Sequence, residues 1–94
     1  MIDWEKKKEL CIAINNDDYK KIESFVDKYI QDFDTQAWDM FSNITLIEKK
    51  YSSGFFEKIK PHYKKAYDSG ILDNLSFRSA VRLEMFFGED KNEV

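Results

Sequence analysis

Between Tyr19 and Phe33 the apolar residues Tyr19, Ile22, Val26, Tyr29 and Phe33 recur at spacings of 3, 4, 3 and 4. A helix turns once per 3.6 residues, so this spacing holds all five side chains on one face. A half-buried strand would need alternation at every second residue, which this segment lacks. Four further segments repeat the pattern. The first runs from about Asp3 to Ile14, with Leu10, Ala13 and Ile14 as its seam. The third runs from Thr35 to about Tyr51 along Met40, Ile44, Ile47 and Tyr51. The fourth continues through Phe56, Ile59, Tyr63 and Ala66, and the fifth spans about Ser76 to Phe87.

Breakers separate these segments where helices need to stop. "NNDD" at 15–18, "DFDT" at 32–35 and "SSG" at 52–54 supply turn and N-cap side chains. Gly70 and Gly88 stop the fourth and fifth segments, and Asn74 or Ser76 caps the fifth. Pro61 lies inside the fourth segment, where a missing N–H predicts a break or kink near Lys60–Pro61. With only three Gly and one Pro in 94 residues, little else interrupts helix. The expected fold is all-α: a small antiparallel bundle of four to five amphipathic helices. It forms a single domain over residues 1–88, with a frayed tail at 89–94.

Several kinds of chemistry lack their residues. One cysteine, Cys11, and one histidine, His62, cannot supply a structural zinc set. Cys11 falls in the first seam and His62 beside a proline, so no nucleophile–base pair is indicated. "DFDTQAWDMFSN" begins like a calcium loop but has Ala37 where glycine is required and Asn43 where a bidentate glutamate belongs. There is no phosphate-binding glycine loop, no dinucleotide fingerprint, and no run of about 20 apolar residues. The start, "MIDWEKKKEL", does not read as a signal peptide. We expect a cytoplasmic, non-enzymatic protein without cofactor or metal. Its Lys, Asn and Ile usage suggests a bacterial or phage source.

Charge divides the chain. Residues 1–48 carry eleven acids and six bases, net −5, and residues 49–94 carry nine bases and seven acids, net +2. Such asymmetry marks two contact surfaces, or two halves that attract each other. On the acidic side, Glu23 and Asp27 share a helix face, and Asp32, Asp34 and Asp39 follow. Helix dipoles account for Asp34 and Asp39 better than for Glu23, Asp27 and Asp32. Trp38 sits off the third seam, and an exposed tryptophan among acids has the composition of an interface hot spot. Glu23, Asp27, Asp32, Asp34, Asp39 and Trp38 are therefore the expected partner-binding edge. The alternative for Trp38 is packing against a neighbouring helix.

The stretch "FFEKIKPHYKKAYDSG" interleaves Lys58, Lys60, Lys64 and Lys65 with Tyr63 and Tyr67, the composition of a nucleic-acid surface. A helical wheel puts both tyrosines on the core side and the lysines on the solvent side, separating the parts a stacking platform needs together. Lys58, Lys64, Lys65, Arg78 and Arg82 remain the alternative, nucleic-acid-binding set. On the fifth segment Glu84 falls among Phe77, Ala80, Val81 and Phe87 on the wheel, so a Tyr, Lys or Arg must pair it. That segment is apolar nearly all round, which suits a central helix or a self-association interface through Phe86.

These readings describe a stoichiometric binder. The expected function is an inhibitor, of immunity or antitoxin type, neutralising a basic nuclease-like toxin, or a phage-encoded inhibitor of a defence nuclease. Its acidic edge would cover the basic cleft with which a nuclease holds phosphates. The alternatives are a regulatory nucleic-acid-binding bundle and a helical self-association module.

Overall fold

Side-chain caps start four of the five helices. Asp3 accepts the Lys6 N–H at 3.0 Å and opens α1, Trp4–Asn15. Asp18 accepts from Lys21 at 3.2 Å and opens α2, Tyr19–Tyr29, which tightens into a 3-10 turn over Ile30–Asp32. Asp34 accepts from Ala37 at 2.9 Å and opens α3, Thr35–Ser42. Ser76, rather than Asn74, caps α5, Phe77–Phe87, through the Ser79 N–H at 3.2 Å. α4, Phe55–Ser69, follows Gly54 and ends at Gly70; both glycines have positive φ, near +84° and +85°. A side chain at Gly70 would strain this C-terminal stop. The computed structural model describes residues 2–43 and 48–88. They form an all-α bundle of five helices, with a second 3-10 turn at Glu48–Lys50 and no strand among the described residues.

The core gathers around aromatic rings. Trp38 of α3 sits 5.4 Å from Phe33, 6.3 Å from Phe41 and 6.1 Å from Tyr63, centroid to centroid. Phe87 of α5 stacks on Phe41 at 5.7 Å and meets Phe56 of α4 at 5.2 Å. Leu10 of α1 and Ile22 and Val26 of α2 complete it. α4 packs on α5, α1 on α2, and α3 on both α1 and α5.

Three local expectations are corrected. α3 ends at Ser42 instead of reaching Tyr51, and its buried face is Ala37, Trp38, Phe41 and Ser42; Met40 is only half-buried. Ile44, Leu46 and Ile47 lie outside the described residues, while Tyr51 is buried as its spacing implied. α4 passes through Pro61 without a break. Proline removes the bond to the Glu57 carbonyl, and both residues are exposed, so water can satisfy that oxygen. Cys11 is exposed, not in the α1 seam, which is Leu10 and Ala13.

Candidate binding surfaces

The expected acidic edge is largely used by the fold. Asp34 does three jobs: it caps α3, receives Lys7 Nζ at 2.7 Å, and so ties α1 to α3. Burial pushes its carboxyl upward, but the Lys7 hydrogen bond and charge and the Ala37 N–H outweigh that and leave its pKa lowered. Asp39 is half-buried and accepts the Ser79 hydroxyl at 2.6 Å, which fixes α5 on α3 and explains why Ser79 is buried. Glu23 is half-buried and accepts the Ser52 backbone N–H at 3.0 Å. Asp27 is exposed, with Lys58 Nζ at 3.7 Å, and Asp32 is exposed.

Trp38 is the clear correction. It is 1% exposed and forms the centre of the aromatic core. The seam chosen for α3 belonged to a helix nine residues too long, and the shorter helix turns Trp38 inward. Of the six edge residues, only Asp27 and Asp32 are exposed.

The alternative basic set is dispersed. Lys58 leans toward Asp27, and Lys64 pairs with Asp68 at 3.3 Å. Arg82 is half-buried and donates to the Ser42 carbonyl at 3.2 Å, closing the C-terminus of α3. Lys65 and Arg78 are exposed. Tyr63 is buried, as the wheel required, but Tyr67 is 58% exposed, which the wheel did not anticipate.

Between α4 and α5 runs a groove of about 390 Å³ walled by Tyr63, Tyr67 and Phe87. Its floor holds Glu84, whose Oε1 accepts the Tyr63 hydroxyl at 2.8 Å. A tyrosine partner was one of the expected pairings for Glu84. Burial first, and then the bond to Glu84 and its charge, raise the Tyr63 pKa, so the phenol stays a donor. At the rim Lys60 pairs with Glu57 at 3.0 Å.

An exposed apolar stripe lies on the far side of α5. Phe77 is 85% exposed, Val81 38% and Met85 73%, so three large side chains at i, i+4 and i+8 face outward. They lie opposite the buried stripe Ser79, Leu83 and Phe87. Phe77 and Val81 were expected inside. Phe86 was the expected interface residue, yet it is half-buried and packs on Phe56 at 5.9 Å. The residue sequence reasoning missed is Met85; its fixed offset from Phe77 and Val81 was the available signal.

Among the described residues no helix is long and apolar enough to cross a membrane, and no three His, Cys, Asp or Glu side chains are grouped to hold a metal ion. No family model matches the sequence, and no curated protein or solved structure shows significant similarity to it.

Proposed function

We propose that the chain is a non-enzymatic protein-binding protein whose contact centres on the outer face of α5. The observation that carries this reading is the Phe77–Val81–Met85 stripe. Scattered exposed apolar residues are ordinary, but large ones aligned on a single helix face incur a solvation cost that a partner relieves. An amphipathic face of this kind is a recurring platform for protein recognition.

In its more specific form, the protein is an inhibitor of immunity or antitoxin type, or a phage-encoded inhibitor, that neutralises a basic nuclease-like protein. The acid excess of residues 1–48 and the exposed Asp27 and Asp32 favour this form. Such a contact would set association rate and specificity rather than supply the bulk of the affinity. The exposure of Tyr67 beside Lys64 and Lys65 favours the nucleic-acid alternative, because a stacking ring then stands near positive charge.

Affinity capture from nuclease-treated and untreated host lysate separates these readings. Three baits run side by side: the wild-type chain, Phe77→Ser with Met85→Ser, and Glu23→Lys with Asp27→Lys. A protein held by the wild type and lost by the α5 variant, indifferent to nuclease, is the expected result. Loss of a basic protein with the charge-reversed variant adds the inhibitor form. Recovery of nucleic acid alone, equal for all three baits, refutes the protein-binding reading.

A further inference from the structure

We infer that the groove between α4 and α5 is a binding site for a small organic ammonium ion, a primary or secondary amine carried on an apolar body. The site goes beyond the protein-binding reading and does not use its surface, since Phe77, Val81 and Met85 do not line the groove. A volume of about 390 Å³ falls within the range of small-molecule sites, roughly 300–1,000 Å³. The Tyr63 ring lies 6.1 Å from Tyr67 and 6.3 Å from Phe87, so the three aromatic side chains form one continuous wall. Tyr63 and Phe87 are buried and Tyr67 is exposed, so this wall runs from the core to the mouth.

Charge selects the ligand. Glu57, Asp68 and Glu84 bring three carboxylates to the groove, and Lys60 and Lys64 bring two ammonium groups. The lysines are matched by the rim acids: Lys60 lies 3.0 Å from Glu57 and Lys64 lies 3.3 Å from Asp68. Glu84 is half-buried and makes no ion pair among the described residues. The Tyr63 hydroxyl that donates to its Oε1 is neutral, so the carboxylate keeps its charge. Its Oε2 accepts no hydrogen bond among the described residues. It lies against Gly88, where a Cβ would overlap the carboxylate. The φ of Gly88, −71°, is one that any residue adopts, so glycine serves here by leaving room. A partly desolvated carboxylate with one open oxygen, beside aromatic faces, is satisfied by a cation that carries N–H donors. An anion would meet the Glu84 charge, and a neutral ligand would bury that charge without compensation.

The test titrates the isotope-labelled full chain by NMR with phenylethylammonium, phenylethanol and phenylpropanoate, which share an apolar body and differ in charge. Shifts are expected at Tyr63, Tyr67 and Gly88. The ammonium ion is expected to bind about tenfold more tightly than the alcohol, and the carboxylate ligand most weakly. Glu84→Gln keeps an oxygen for the Tyr63 hydroxyl and removes the charge. It is expected to weaken the ammonium ion about tenfold and leave the alcohol unchanged. Tyr67→Ala, at an exposed position, is expected to weaken both alike. Circular dichroism verifies that the variants fold, and the charge series on the wild type needs no variant. Equal affinity of the ammonium ion and the alcohol for the wild type overturns the inference, as do a preference that survives Glu84→Gln and shifts confined to another surface. A tenfold gain in ammonium affinity in Lys91→Gln makes the chain's own lysine the occupant and overturns the free amine. A wild-type dimer in sedimentation that Glu84→Gln disperses makes a basic side chain of a second copy the occupant, with the same consequence. The protein-binding reading fails separately, through lysate capture that ignores the α5 variant.

Discussion

Tyr51 shows how one atom can set a pH response. Its ring packs 4.9 Å from Phe55 and 5.6 Å from Tyr19, and its buried hydroxyl has no hydrogen-bond partner among the described residues. Burial, with Tyr19, Glu23 and Asp17 opposing a phenolate, pushes its pKa up to about 12. The folded value lies above the unfolded value near 10. Its stabilising contribution is therefore complete below pH 10 and is lost as pH rises from about 10 to about 12. Tyr51→Phe keeps the ring and removes the orphan hydroxyl. Urea unfolding at pH 8 is expected to show no loss, or a gain of up to about 1 kcal/mol. At alkaline pH the variant is expected to lose less stability than the wild type, while Tyr63, also raised, keeps the slope from vanishing. Lys7 provides the opposite case. Lys7→Met removes the 2.7 Å contact to Asp34 and is expected to cost about 1 kcal/mol. The Asp34 carboxyl is depressed, so its contribution is present above its ordinary value near 3.8 and lost as pH falls below it. NMR titration of the variant is expected to find that carboxyl shifted upward. At this scale the capping role of Asp34 was legible in "DFDT", because a cap bonds to its own neighbours. The bond from Ser79 to Asp39 joins positions forty residues apart, and no local spacing announces it.

Helices carry two kinds of information, and only one is local. Where a helix starts and stops depends on caps and glycines, which is why Asp18, Asp34, Ser76 and Gly70 could be read from the sequence. Which face turns inward depends on neighbours. On α5 the stripes Phe77–Val81–Met85 and Ser79–Leu83–Phe87 have the same period and are offset by two residues. The first is the more apolar, yet the second is buried. Phe87 stacks on Phe41 and Ser79 bonds to Asp39, contacts that fix the helix with the smaller residue inside. Glu84 is thereby drawn to Tyr63. An apolar face left outside against the pattern of hydrophobicity is where fold and function pull apart. Pro61 is a second local rule overruled at element scale. The helix runs through it because Phe56, Ile59, Tyr63 and Ala66 are held by the core on both sides of the proline. Pro61→Ala restores the lost hydrogen bond at an exposed position. It is expected to stabilise the protein by about 2 kcal/mol, the helix gain less the freedom returned to the unfolded chain. Guanidinium unfolding measures this, and a loss of stability would mean that the groove beside Pro61 needs the ring.

Among the described residues, ion pairs do little to join the acidic half of the chain to the basic half. Among the described residues, one ion pair, Asp27 to Lys58, joins the acidic half to the basic half, and it is long and exposed. The others, such as Lys7 with Asp34 and Lys64 with Asp68, stay within a half. Aromatic packing joins the halves, where Trp38 meets Tyr63 and Phe41 meets Phe87, together with the hydrogen bonds from Ser79 to Asp39, Ser52 to Glu23 and Arg82 to Ser42. Because these rings share one continuous cluster with Leu10, Ile22 and Leu83, no group of helices has a core of its own. The bundle should therefore unfold in one step. The two tryptophans make this measurable, since Trp4 is 68% exposed and Trp38 is 1% exposed. Trp4→Phe removes the solvated reporter at little cost and leaves Trp38 alone at the junction. Its emission is expected to be that of a buried indole. Its guanidinium transition is expected to coincide with loss of helical circular dichroism. Displaced midpoints would mean that α1 and α2 separate from α3, α4 and α5 before the junction opens. The acidic and basic faces would then belong to units that move apart. A single transition keeps the α5 stripe and the acidic side of α2 on one rigid body, so a partner that contacts both must span a fixed distance.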